Sequence, residues 1–296
     1  MKILVVGLGA IGSIYATRFK EFGHEVKVLV DDKRLCRYRR DGIYFNDVKY
    51  DFDYILPSDS EFKPELIIIA VKYPAFKKVL KDLKNFVDNG VIILSLLNGI
   101  STEKILREEY LKAKILKSYY VGHASMRDKN RITYDGIGKI VLERDDKLEE
   151  LFNECEINYE FAKDIDSSMW QKFIINIGVN QTTAVLKKPY KCFETCWARN
   201  IARGLMQEGV CIAKAEGILG TDEFINNTFK LIDDMPKDCK TSMMQDIENG
   251  QQTEVDIFAG TVIELGKKLG VLTPLNEFVY NVIKGMEEDF SKCKDL

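Results

Sequence analysis

The chain is 296 residues long, 46% hydrophobic and 30% charged, the composition of a folded globular protein and not of a disordered one. That length suits one large domain or two medium ones, and it buries enough surface to fold without disulfides or metal. Lysine and arginine total 43 against 46 aspartate and glutamate, and the net charge of −3 excludes the basic footprint of a nucleic-acid-binding protein. No apolar run approaches about 18 residues, so no membrane-spanning helix is expected.

The first residues, MKILVVGLGAIGSIYA, combine a lysine, an apolar stretch and small residues, as a signal peptide does. They also carry three spaced glycines, and the apolar periodicity continues beyond any cleavage point, so they are read as part of the fold. Residues 2–6 predict a strand, 10–22 a helix and 25–30 a second strand. Residues 43–55 predict a hairpin turning at Asn46-Asp47. The runs at 65–71 (ELIIIAV) and 91–97 (VIILSLL) are continuous and β-branched, as in parallel strands covered on both faces. Helical patterns at 75–86 and 102–110 alternate with them. Alternating strands and helices predict an α/β unit, a Rossmann-type doubly wound parallel sheet.

The pattern changes near residues 164–168, after which helical periodicity dominates. Ser168 and Gln171 fit a capping box opening a helix that ends before Pro189. Further helices are predicted at 198–216, 223–233, 252–269 and 275–290. The expected organisation is a dinucleotide-binding unit at 1–166 and an all-helical unit at 167–296 for substrate and, in a homodimer, for subunit contact. Seven cysteines (Cys36, Cys155, Cys192, Cys196, Cys211, Cys239, Cys293) are odd in number and mostly isolated. Only Cys192 and Cys196 lie close, with neither histidine nearby, so reduced thiols, a cytoplasmic location and no metal site are expected.

Gly7-Leu8-Gly9-Ala10-Ile11-Gly12 is a G-x-G-x-x-G sequence placed between a strand and a helix. Gly7 permits the tight turn, Gly9 lets a pyrophosphate reach bare backbone, and Gly12 lets helix and strand pack. The anion then meets the positive end of the helix. Asp31 follows the second strand, 19 residues after Gly12. A carboxylate there would hold the ribose hydroxyls of NAD and repel the phosphate of NADP, or it simply caps the next helix. Lys33, Arg34 and Arg37 follow it and offer a clamp for that phosphate, so both cofactors stay open. Lys72 and Asn98 end the 65–71 and 91–97 strands, at the sheet edge where open α/β folds bind ligands. Lys172, Asn176 and Asn180 recur at i, i+4 and i+8, about 12 Å of one helix face. Their helix is otherwise apolar, which points this polar strip at a cleft.

The motifs GLGAIG at Gly7, AVK ending in Lys72, LNG containing Asn98 and GHA containing His123 together resemble those of the ketopantoate reductase (2-dehydropantoate 2-reductase) family. So do KFIINIGVNQTTA from Lys172 and SMMQDIENGQQTEVD from Ser242 through Glu254. The resemblance implies a Rossmann unit joined to a helical unit like that of 6-phosphogluconate dehydrogenase. It implies NADPH-dependent reduction of 2-dehydropantoate to pantoate, on the route to pantothenate and coenzyme A. By motif position, Lys172 matches the general acid, and Glu254 joins it in the catalytic pair, assigned to hydrogen bonding a hydroxyl or ribose and not to proton transfer. Asn176, Asn180 and Ser242 match substrate-binding positions, and Asn98 and Lys72 match cofactor or substrate contacts. His123 is an alternative acid. Two departures stand out: the family usually has a basic residue at Asp31, and often Asn-Gly where this chain has Tyr190-Lys191. The first bears on NADP against NAD, the second on which 2-oxo acid is reduced. The rival readings are a reductase of another branched 2-oxo acid and a non-catalytic NAD(P) sensor, against which Lys172 and Glu254 argue.

Overall fold

The computed structural model describes residues 1–122, 126–128 and 130–292; His123 and Cys293 lie outside them. The chain divides into two compact units, Met1–Ile165 and Asp166–Leu296. In the first unit the elements run β1 (Lys2–Val6), α1 (Ala10–Glu21), β2 (Glu25–Leu29), α2 (Asp32–Asp41), β3 (Ile43–Phe45), β4 (Val48–Tyr50), β5 (Asp53–Ile55), β6 (Leu66–Ile69) and α3 (Tyr73–Asp82). They continue with β7 (Ile92–Ser95), α4 (Thr102–Glu109), β8 (Lys114–Leu116), β9 (Ser118–Val121), β10 (Met126–Asp128), β11 (Arg131–Thr133), β12 (Lys139–Leu142), α5 (Asp146–Glu154) and β13 (Tyr159–Phe161).

Six strands form one parallel sheet in the order β5-β2-β1-β6-β7-β8, so the strand order reverses between β1 and β6. Alternate residues of each central strand feed opposite cores. Ile3, Val5, Leu66 and Ile68 pack with Phe19 of α1 and Phe152 of α5, while Leu4, Val6, Ile67 and Ile69 pack with Phe76 of α3 and Leu106 of α4. Covering both faces is what makes these strands unbroken apolar runs. Polar residues are thereby confined to the strand ends.

The expected hairpin at 43–55 is corrected in its second half. β3 and β4 pair antiparallel around Asn46 (φ 47°) and Asp47 (φ 64°), the two left-handed residues of a tight hairpin turn. Residues 53–55 leave that hairpin and pair parallel with β2, as the outermost strand of the large sheet. Three residues opening on an aspartate are too short to display the apolar run of a buried parallel strand. β3 and β4 instead join a small sheet, β10-β11-β3-β4, and β13-β12-β9 form a third.

The second unit is helical: α6 (Ile165–Ile175), α7 (Gln181–Leu186), α8 (Cys196–Ala215), α9 (Phe224–Asp234), α10 (Ser242–Glu248), α11 (Thr261–Leu269) and α12 (Pro274–Lys292). The predicted cap at Ser168 is overturned, since α6 already begins at Ile165. Asp164 precedes that start and Asp166 lies in its first turn, where acidic side chains favour the positive helix end. A π turn, Asn176–Asn180, joins α6 to α7, and a second, Asp256–Gly260, opens α11. The helix predicted from residue 252 therefore starts later. Among the described residues no helix is long and apolar enough to cross a membrane.

Glu103, in the first turn of α4, is buried, with Oε2 accepting from Thr102 Oγ1 (3.1 Å) and Oε1 without a partner among the described residues. Burial pushes its carboxyl up to about 7, against the opposing pull of its own backbone N–H, the Thr102 hydroxyl and the more distant Arg107 and Lys117. An unfolded glutamate titrates near about 4.3, so the native state holds an extra proton above that value. Stability therefore falls as pH rises through the window from about 4.5 to 7, and stays lower above it. Glu103→Gln is expected to be more stable than the parent at pH 8, by on the order of 2 kcal/mol, and to lose that advantage towards pH 5. Urea unfolding at both pH values checks this; the same difference at each pH would refute it.

Candidate active site

The glycine loop occupies the turn from β1 into α1. Gly7 has φ 100°, and a Cβ there would stand 2.6 Å from the Ala70 carbonyl oxygen. At Gly12 a Cβ would fall 1.9 Å from the Gly7 carbonyl oxygen, so the helix can pack on the turn only without a side chain. Gly9 differs: it caps α1 with φ −79°, and the nearest atom to a Cβ there is 3.8 Å away. The protein itself explains Gly7 and Gly12 but not Gly9. Gly7, Gly9, Ala10 and Ile11 are partly exposed, Leu8 is buried, no side chain caps α1 and its first turn carries no acid. Such a surface leaves the N–H groups of the helix start open to an anion.

Lys72 and Asn98 follow β6 and β7, neighbours of β1 in the sheet, so they share the carboxyl edge with the glycine loop. Lys72 is exposed at the N-cap of α3, and Asn98 is half-buried before Gly99 (φ 98°). Val71 Cγ1 lies 2.8 Å from the Cβ position of Gly7, which ties the β6 end to the loop. Asp31 caps α2: one carboxylate oxygen accepts from Arg34 N (2.8 Å), the other from Arg34 Nη1 (3.2 Å). Its capping role is thus real, and Arg34 is drawn back onto Asp31.

The helical unit carries the other candidates. Lys172 is half-buried in α6, one turn before Asn176. Asn176 is 8% exposed; its Oδ1 accepts from Asn180 Nδ2 (3.3 Å), while its own Nδ2 is buried without an acceptor among the described residues. The i, i+4 relation between the two asparagines therefore survives the π turn. Glu254 is buried and opens the second π turn, with its carbonyl accepting from Ile257 N and Phe258 N (3.1 and 3.2 Å). The two π turns pack against each other and α10 packs on α7, which sets the segment just after Glu254 beside the turn that carries Asn176 and Asn180. Ser242 sits exposed at the first position of α10, whereas the capping contact is made by Thr241, which accepts from Met244 N (3.2 Å) and meets Thr183 Oγ1 (2.6 Å). Asp246, one turn further along α10, is buried too. Sequence reasoning passed over Thr241, Asp246 and Gln181; an acid flanked by Met244 and Ile247 was the signal for Asp246.

The amino-terminal unit matches the family model for ketopantoate reductase PanE/ApbA over residues 3–147, and the model for its C-terminal part matches residues 164–287. The chain belongs to the ketopantoate reductase family. An uncharacterized oxidoreductase, YkpB of Bacillus subtilis (strain 168), is 26% identical over 293 residues, 95% of this chain and 97% of that protein. The 2-dehydropantoate 2-reductase of Pyrococcus abyssi (strain GE5 / Orsay) is 26% identical over 299 residues, 97% and 98% of the two chains. The ternary structure of D-mandelate dehydrogenase with NADH and anilino(oxo)acetate superposes with a TM-score of 0.89 at 25% identity, covering 98% of this chain and 99% of that one. This family member is an oxidoreductase with a Rossmann-type parallel sheet followed by a helical unit. Its glycine loop gives a direct test of the geometry above. Gly12→Ala should cost about 1–3 kcal/mol, because the neighbour it meets is backbone. Gly9→Ala, with open space around it, should stay within about 1 kcal/mol of the parent in urea unfolding. Equal losses at the two positions would contradict the contacts described.

Proposed function

We propose that this chain reduces a small branched 2-oxo acid, with 2-dehydropantoate as the leading substrate, to its 2-hydroxy acid at the expense of NADH or NADPH. With 2-dehydropantoate the product is pantoate, the precursor of pantothenate and coenzyme A. The observation that carries this reading is the buried, acceptor-less amide of Asn176, one turn after a lysine. A buried donor without a partner costs about 1–3 kcal/mol, and a carboxylate or hydroxyl oxygen of a ligand would recover it.

The Gly7–Gly12 loop would hold the dinucleotide, its pyrophosphate over Gly9 and the N-terminus of α1, with Lys72 and Asn98 at the neighbouring strand ends. When bound, the reduced nicotinamide would supply a hydride to the substrate's C2 carbonyl carbon. Negative charge then develops on the carbonyl oxygen, and the Lys172 ammonium would stabilise it and transfer its proton there. A carboxylate tightens a neighbouring ammonium's hold on its proton, so Glu254 is assigned to a substrate hydroxyl. Asn176 and Asn180 would orient the acid, and Ser242 would meet its carboxylate. The likeness to D-mandelate dehydrogenase favours a second reading, a 2-oxo acid with an aromatic side chain. A panel of 2-oxo acids with both cofactors, followed by nicotinamide absorbance, tests both; turnover of unrelated alcohols with none of any 2-oxo acid would defeat them.

Lys172→Ala is expected to lower kcat by about 10²–10⁴-fold, the range for lost acid–base catalysis, with cofactor affinity unchanged. If kcat held and only KM rose, Lys172 would be a binding residue. For the cofactor we favour NADH, because the Asp31 carboxylate follows β2 and draws Arg34 away from phosphate duty. Asp31→Ser keeps a capping oxygen and removes the charge. The ratio of the NADPH to NADH dissociation constants should then fall, by roughly tenfold for a loss of about 1.4 kcal/mol of discrimination. An unchanged ratio would reject the ribose role of Asp31.

A further inference from the structure

An α-helix gives each N–H to the carbonyl four residues back, and a π turn interrupts that series. In the first π turn the Gln181 N–H goes to Gly178 O, three residues back. Ile177 O, its partner in α geometry, is met instead by the Gln181 side chain, Nε2 donating at 2.9 Å. In the second π turn the Gly260 N–H takes Val255 O at 3.0 Å, the acceptor that α geometry assigns to Ala259. The displaced Ala259 N–H donates to Gln181 Oε1 at 3.0 Å. The other contact of Gln181 Nε2 is Asn276 Oδ1 (3.2 Å), and Asn276 Nδ2 is itself fixed on Leu205 O (3.2 Å) and Glu208 Oε2 (2.8 Å). One fully buried amide thus serves the acceptor left over by one π turn and the donor left over by the other.

We infer that Gln181 is the positioning residue of the substrate site: it locks both π turns, and through them sets Asn176, Asn180 and the segment that begins at Glu254. The inference rests on the reading that those three residues meet the substrate. A π turn holds one residue more than the α turn it replaces. Relaxing either turn to α geometry would swing the following face by about 100°. Without the Gln181 amide, Ala259 N would be a buried donor without its acceptor and Ile177 O would be an acceptor that loses a donor, and that penalty drives the relaxation.

Gln181→Met keeps length and volume but offers neither hydrogen bond. Gln181→Glu keeps the acceptor for Ala259 and loses the donor to Ile177. Two readouts apply to both variants: kinetics with a 2-oxo acid and NAD(P)H, and NMR of the Asn176 and Asn180 side-chain amides with hydrogen exchange at Ala259, which needs no substrate. For Gln181→Met a fall in kcat of about 10²-fold is expected, the scale of a misplacement near 1 Å, with an unchanged dissociation constant for the cofactor. The Asn176 signal should move and Ala259 should exchange faster. Gln181→Glu should move Asn176 while Ala259 keeps its protection, and it carries the test if the methionine variant does not fold. Folded variants with lower stability but unmoved asparagine signals and unchanged kcat would overturn the inference, leaving Gln181 a purely structural residue. If the parent protein turns over no 2-oxo acid, the reaction reading fails by itself, and the NMR readout still decides what Gln181 holds in place.

Discussion

A buried backbone N–H or C=O must find a partner, and this constraint shapes both units of the protein. In the first unit the partner is the next strand. β1, β6 and β7 are covered by side chains on both faces, so their peptide groups pair only within the sheet. Only the ends of these strands carry a polar residue, Lys2 in β1 and Ser95 in β7, and Gly7, Lys72 and Asn98 stand just past where the strands stop. The reversal of strand order between β1 and β6 leaves that edge uncrossed by a connection at this point, the general reason such edges bind ligands.

The second unit meets the same constraint differently. Asn176, Gly178 and Asn180 are poor helix formers placed in the middle of a buried helix. Gly178 has a packing reason, since a Cβ there would stand 2.5 Å from Met206 Cγ of α8. The asparagines have none of that kind. The backbone around them is completed by side chains: Gln181 for Ile177 O, and Thr183 Oγ1 for Val179 O and Asn180 O, at 3.0 Å each. Local propensity is spent on presenting two amides from a buried surface, and polar neighbours restore the hydrogen bonds that this arrangement breaks.

Much of this was legible in the residues. The glycine spacing between a strand and a helix and the unbroken apolar runs of the central strands could be read directly, and the i, i+4 contact of Asn176 with Asn180 persists through the π turn. What stayed hidden has no such pattern. β5 is three residues long and opens on Asp53, so no apolar run announced it as a member of the large sheet. The π turns depend on which carbonyl an N–H reaches, a choice that side-chain spacing does not record. Gln181 lies one position past Asn180, off the polar face, and its role exists only because Ala259 is brought to it from 78 residues away. Asp31 illustrates another limit: ribose contact and helix cap ask for the same residue at the same place, and only the Arg34 contacts establish the cap.

The glycine loop also constrains where substrate choice can reside. Gly7 and Gly12 are dictated by contacts inside the fold, with the Ala70 and Gly7 carbonyls, and would be required whatever acid is reduced. A protein named for 2-dehydropantoate and one named for D-mandelate both resemble this chain over nearly its full length, at 26% and 25% identity. A fold shared by both names cannot itself select the acid, so selection must rest on individual side chains. In the helical unit the hydrogen bonds of Gln181, Thr183 and Thr241 are consumed in holding the backbone, which removes them from that choice. Asn176 differs, because its amide nitrogen has no partner among the described residues. On the proposed reading, the acid presents an oxygen at that point. Discrimination would then fall to whatever surrounds the rest of the acid, with the Tyr190-Lys191 segment, its backbone pinned to Cys239 and Lys237 (3.0 and 2.8 Å), as one candidate.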